Sequence, residues 1–367
     1  MLTRLSLLTL ITLAVWLAAP CALASAKLQQ YHAIIIAHDN LPMRQDDDGQ
    51  PYFGVPVVES KAGIAVGWEP YTQDPNVGSP LAFTRRDALR FERFMVKYGL
   101  PERVTTLLPS FDDNTTSPYG THRRSNSYAD VERAFEQTAA RITAARTEVA
   151  SAGRSRRAEQ VVFIHFSGHG THGGLLLQDE LLSAVDFRAW IEQLDADLVV
   201  VILDSCYGAG WNNEAEPPLI QPNKDLPQVI DGQRGVAVFK STNLTPESEV
   251  LRSGVLTHVV LSGLMGGADD NRDDRITFAE LSDYFYLRTN RSGQFDGRPE
   301  SPGGNHQRVL FDLRHGVGVT PLTFQHELQG RVLLADEEGV IAELTACCRS
   351  RPLRPKRSRP ARLGNAA

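Results

Sequence analysis

Two short segments hold residue types that can break a covalent bond. Ser167-Gly168-His169-Gly170 contains an imidazole, and Asp204-Ser205-Cys206-Tyr207-Gly208 contains a thiol. A cysteine becomes a strong nucleophile when a neighbouring imidazole takes its proton or stabilises the thiolate, so His169 and Cys206 suit a thiol–imidazole pair. The flanking glycines let backbone approach a substrate closely, and the N–H groups of Gly170 and Cys206 are placed to hold an oxyanion. Taken singly, each residue has a plainer reading: a buried cysteine is usually a small apolar side chain and a lone histidine is usually structural. A zinc site from His165, His169 and His172 is a third reading. Geometry works against it, since His165 alternates with its strand neighbours and no helix places His165 and His169 on one face.

Both segments follow strands. Val161–Phe166 (VVFIHF) and Leu198–Leu203 (LVVVIL) are almost continuously apolar, as strands covered on both faces must be. Ala184–Leu194 lies between them with helical spacing, which makes a β-α-β unit and brings histidine and cysteine to the same rim of one sheet. Tyr31–His38 and Val104–Leu108 read as further strands, and Gly235–Ser241 as another. Residues 39–80 and 109–127 read as loop. Leu81–Tyr98 has a helical face of Leu89, Phe91, Phe94, Met95 and Tyr98, with Gly99 at the position of a C-cap. Residues 128–150, 255–264 and 278–287 read as helices and 330–344 as a hairpin. Alternating strands and helices give an α/β fold with a doubly wound, mostly parallel sheet flanked by helices, and a small C-terminal β-hairpin.

The two motifs together closely resemble the signatures of caspase-like cysteine peptidases, in the metacaspase and bacterial caspase-domain branch. The resemblance spans about residues 31–315. Residues 31–38 look like the first strand of that family and Arg86-Asp87-Ala88 like the opening of its first helix. Gly254-Val255-Leu256-Thr257-His258 and residues 263–281 look like its later segments. It implies a caspase-like fold and peptide-bond hydrolysis by a Cys206–His169 dyad without a third carboxylate or any required cofactor. It also implies an acidic pocket for the residue before the scissile bond, matched here by Asp87, Ser167 and Asp204, and hence protein or peptide substrates cut after Arg or Lys. Tyr207 and Ala209 depart from residues common in relatives. The Pro-rich stretch 211–234, with Lys224 and Arg234, occupies the region cut during maturation of processed relatives, so self-cleavage is expected there. Two rivals remain. One is a catalytically silent caspase-fold binding module; the other is a legumain-like or gingipain-like peptidase of the same clan with another specificity.

Asp269, Asn271, Asp273, Arg275, Thr277 and Glu280 follow the spacing of an EF-hand calcium loop, with Arg275 offering its carbonyl. Asp274 replaces the glycine usual at the sharp turn, and Thr277-Phe278-Ala279-Glu280 is equally a helix capping box, so calcium (Ca2+) stands as an open expectation. Cys347-Cys348 carries no assigned role.

Charge sets the outer bounds. The 367 residues sum to −6, but seven basic residues fall in 349–367 and Arg4 in the first 26. The body is left with 30 basic against 44 acidic residues, a net of −14. Such a body does not suit nucleic acid; it suits cations and basic substrates. Arg4, the apolar run Leu5–Ala19 and Ala22-Leu23-Ala24 make an export signal. At 15 residues the run is short of the roughly 20 that span a bilayer, so no membrane span is expected after signal removal. The expected layout is 1–26 signal peptide, 27–315 peptidase domain, 316–348 hairpin extension and 349–367 basic disordered tail. The expected location is exported, periplasmic or secreted.

Overall fold

A computed structural model of the protein describes residues 28–40, 43–59, 64–70, 81–109, 115–151, 158–171, 174–205, 235–240, 247–248, 251–289, 307–315, 330–336 and 339–346. The signal segment, Cys206 with the stretch that follows it, Cys347-Cys348 and the basic tail lie outside these residues. No helix among the described residues is long and apolar enough to cross a membrane.

Six parallel strands form the centre: β1 (Gln29–His38), β2 (Val104–Leu107), β3 (His122–Arg124), β4 (Glu159–Gly168), β5 (Leu198–Ser205) and β6 (Gly235–Lys240). Their order across the sheet is β6-β5-β4-β1-β2-β3, and Thr115–Thr116 adds an antiparallel edge beside β3. The chain begins in the middle, winds outward through β2 and β3, then returns to the other side of β1 for β4, β5 and β6. The direction of winding therefore reverses between β1 and β4, and the crevice at such a switch point is where open α/β sheets place their chemistry.

Helices cover both faces, as apolar strands with no polar side require. On one face α1 (Thr84–Met95), α4 (Val255–Ser262) and α5 (Phe278–Thr289) pack through Ala88, Phe91, Leu256, Val260 and Phe285 against Ile35, Phe163 and Ile202. On the other, α2 (Tyr128–Ser151) and α3 (Ala184–Gln193) bring Val131, Phe135, Phe187 and Ile191 onto Ile34, Ile36, Ile164 and Val201. Tyr31, Phe94, Phe163 and Phe311 form an aromatic knot at the amino ends of the strands, with ring centroids 4.7 Å apart for Tyr31 and Phe311 and 5.0 Å for Phe94 and Phe311. Pairs of this kind contribute about 0.5–1.5 kcal/mol beyond the area they bury.

Three readings need correction. Residues 39–80 contain strands Met43–Gln45, Pro51–Glu59 and Ile64–Pro70 in a small antiparallel sheet. Their prolines and glycines look like loop, and it is their pairing with one another that makes them strands. The stretch 109–127 contains the edge strands already named, and between β4 and α3 three short strands, Gly170–Thr171, Gly174–Leu176 and Leu181–Ser183, pair antiparallel. Gly99 donates its N–H to Met95 but is not left-handed. A Cβ there would sit 3.3 Å from the Tyr31 carbonyl, so the glycine serves close approach to β1. The C-terminal hairpin is present as Gly330–Asp336 paired with Gly339–Ala346, and its second strand packs against α4.

Candidate active site

Register places the motifs. Ser167 lies opposite Ala37 of β1 on one side and Asp204 of β5 on the other, and Gly168 lies between His38 and Ser205. His169 follows at the end of β4, 7% exposed, with its carbonyl accepting the Leu176 N–H at 3.0 Å. Gly168 is glycine for a spatial reason: a Cβ would stand 2.7 Å from the His38 carbonyl, so a side chain would force β1 and β4 apart beneath the histidine. Asn126 ties the same corner, its side-chain amide donating to the Ala37 carbonyl at 2.9 Å. Cys206 is the next residue after Ser205 and lies outside the described residues, as does His172. Gly170 pairs with Leu175 in the small sheet beside the rim.

His38, which sequence alone marked only as a strand end, ends β1 at this rim. It is 4% exposed, and burial, aided by the nearness of His169, pushes its ring down to about 4, so it is neutral at ordinary pH.

The three expected pocket residues are brought together. Alternation along parallel strands sends Ser167 and Asp204 to the α1/α4 face, where Asp87 of α1 meets them. All three are buried, both carboxylates completely. The segment before α4 holds the pair. Asp87 accepts from Ser253 Oγ and from the Gly254 N–H at 2.8 Å. Asp204 Oδ2 accepts from the Thr257 N–H at 3.0 Å and from Thr257 Oγ1 at 2.7 Å. The N-cap of α4 is Gly254, which has no side chain to satisfy the first N–H groups, so Asp204 and Asp87 do so from other elements. Burial, and secondarily the neighbouring Asp204, pushes the Asp87 carboxyl up to about 8, against the pull of Ser253, Gly254 and Arg90, whose guanidinium lies 3.9 Å away. Two fully buried carboxylates side by side are an unfavourable arrangement unless protons or cations compensate them.

His165 is a wall residue. It is fully buried, stacks on Phe91 with centroids 4.9 Å apart and hydrogen-bonds Thr257 Oγ1 through Nε2 at 3.0 Å. Burial pushes it down to about 3. Thr257 was legible only as part of the Gly254–His258 stretch, and Ser253 carried no signal of its own.

The loop from Asp269 to Glu280 is described throughout. Asp269 accepts from the N–H groups of Asp273 and Asp274, Asn271 from that of Asp273, and Asp273 from that of Arg275. Asp274 takes the turn in a left-handed conformation, φ +63°, the work expected of glycine there. Glu280 and Thr277 form the capping box reciprocally at 2.9 and 3.2 Å. Among the described residues no three His, Cys, Asp or Glu side chains converge where a metal ion would sit.

Residues 64–294, well over half of the chain, match the family model described as Caspase domain. No curated protein matches the chain.

Proposed function

The chain belongs to the caspase-domain family of cysteine peptidases, and from that premise we propose that it is an exported endopeptidase cutting after Arg or Lys with a His169–Cys206 dyad. The observation that carries the reading is the register of β4 with β5. Ser167 pairs with Asp204 at neighbouring carboxyl ends, so the two motifs leave one rim side by side, with the buried carboxylates directly beneath.

In this reading His169 takes the Cys206 proton, and the thiolate attacks the scissile carbonyl carbon. The resulting oxyanion is held by the N–H groups of Gly170 and Cys206. Collapse breaks the C–N bond as His169 returns its proton to the departing amine. Water, deprotonated by His169, then hydrolyses the thioester and restores the thiol. Asp204 and Asp87, with Ser167 between strands, receive the guanidinium or ammonium of the substrate. The mechanism needs no cofactor. Residues 1–26 direct export, and cuts after Lys224 or Arg234 mature the chain. Calcium is the ligand proposed for the loop from Asp269 to Glu280, where it would displace the backbone bonds that Asp269, Asn271 and Asp273 now accept.

The test is hydrolysis of fluorogenic peptides ending in Arg, Lys, Asp or Asn by signal-free protein, with and without calcium, alongside Cys206→Ala and His169→Ala. Cleavage after Arg and Lys, falling by at least about a thousandfold in either variant, is expected. Mass spectrometry of the same samples should show the cuts after Lys224 or Arg234 in the parent and one intact chain in Cys206→Ala. Faster cleavage after Asp would overturn the pocket, and unchanged activity in Cys206→Ala would overturn the dyad.

A further inference from the structure

Between α1 and residues 251–254 lies a cleft of about 360 Å³ into which Arg85, Arg86, Arg90, Arg93 and Arg252 all contribute. The volume is at the lower end of small-molecule sites, about 300–1,000 Å³. The rest of its described lining is apolar, and none of it is acidic. Two of the five arginines, Arg86 and Arg90, are held in place by the fold. Arg86 donates to the carbonyls of Leu251, at 3.3 Å, and Arg252. The Arg90 side chain is 5% exposed and faces Asp87 at 3.9 Å. Arg252 projects from a left-handed backbone, φ +49°. Ordered guanidinium forks lose little freedom on binding, and their planar donors match phosphate and carboxylate oxygens two at a time.

We propose that this cleft binds a compact polyanion, with two or three phosphate groups or clustered carboxylates, and that its occupancy loosens the pocket for basic side chains. The coupling runs through one shared wall. Arg86 and Arg90 flank Asp87 on α1, and Arg252 immediately precedes the Ser253-Gly254 pair that holds Asp87. An anion that draws Arg90 out of its 3.9 Å contact with Asp87 shifts the wall that holds this carboxylate, so the pocket fits a cationic guest less well. The coupling rests on the pocket reading given above; the binding does not. The anion has two sources, a free oligophosphate or the acidic residues of a substrate.

Calorimetry of the full signal-free Cys206→Ala chain with sodium tripolyphosphate, at fixed ionic strength, tests the site without any activity. Saturable binding is expected, at least about tenfold weaker when Arg93→Ser and Arg252→Asn are added, since asparagine tolerates the left-handed backbone. No binding, or equal binding in both proteins, overturns the site. In active protein, tripolyphosphate should raise KM for Arg peptides severalfold with kcat unchanged, and the Arg93→Ser, Arg252→Asn variant should keep its basal cleavage while losing that response. Binding without any change in KM overturns the coupling alone. Peptides with glutamates flanking the cleavage site separate the sources. A lower KM than serine-flanked peptides, seen only with the arginines intact, assigns the cleft to substrate carboxylates; equal KM values assign it to the free anion.

Discussion

The Thr257 hydroxyl has one hydrogen to donate, and Asp204 Oδ2 takes it at 2.7 Å. The contact with His165 at 3.0 Å must then run the other way, from Nε2–H to Oγ1, and since burial keeps the ring neutral its one proton sits on Nε2. A chain of three buried groups thus aims one carboxylate oxygen, and stacking on Phe91 holds its far end. Thr257→Val keeps the shape and removes both bonds. It leaves buried Asp204 and His165 each short of a partner, at a cost of about 1–3 kcal/mol. The expected result is a severalfold higher KM for Arg peptides with kcat nearly unchanged, because the dyad is untouched while the guest's carboxylate loses its aim. Thr257→Ser, which keeps the hydroxyl, should recover most of the affinity. Equal loss in both variants would mean that Thr257 serves packing alone.

Helix α4 joins the pocket to the body of the fold. Because Gly254 lacks a side chain, the amino end of the helix is satisfied by Asp204 from β5 and Asp87 from α1, and three elements are locked at one point. A Cβ on Gly254 would overlap Asp204 Oδ2 and stand 3.1 Å from Asp87 Oδ2. Gly254→Ala is therefore expected to destabilise by about 2 kcal/mol or more, read as a lowered denaturation midpoint. Gly235→Ala should be close to neutral, since its nearest neighbour is the flexible end of Leu198 at 3.4 Å. The sequence exposed β1, β4, β5 and β6 through their continuous apolar runs, because strands buried on both faces leave that signature. It hid Pro51–Glu59 and Ile64–Pro70, whose pairing depends on a partner strand and whose Pro and Gly content looks like loop. The site divides the same way. His169, Asp87, Ser167 and Asp204 stood in recognisable motifs, whereas the Ser253 bond to Asp87 joins positions 166 apart and has no local pattern. His38 was hidden for the reverse reason, since a strand-end histidine gives no sign of which neighbour it meets.

Over the whole molecule, buried titratable groups set how stability responds to pH, and they pull in opposite directions. Burial holds His32 and His38 down to about 4 and His165 to about 3, from an ordinary 6.5. Between those values and 6.5 the unfolded chain binds protons that the folded chain refuses, so stability rises with pH across that window and is lost as pH falls through it. Asp87 behaves oppositely. Its carboxyl, raised from 3.8 to about 8, keeps a proton in the folded chain that the unfolded chain releases, so its contribution falls as pH climbs from about 4 to about 8. Each group supplies a slope on the order of 1 kcal/mol per pH unit inside its window. From pH 4 to 6.5 the slopes of His32, His38 and His165 outweigh that of Asp87 and stability climbs; above 6.5, of these four groups, the Asp87 slope is the one left and stability declines. Denaturant midpoints measured from pH 4.5 to 8.5 should therefore pass through a maximum near pH 6.5. His165→Gln should flatten the acid limb and Asp87→Asn the alkaline one, each leaving the other limb in place. A profile that rises without a break to pH 8 would show that Asp87 is ionised in the folded protein. The carboxylate pair would then hold both charges with no substrate bound, and the pocket would be more strongly acidic than its burial implies.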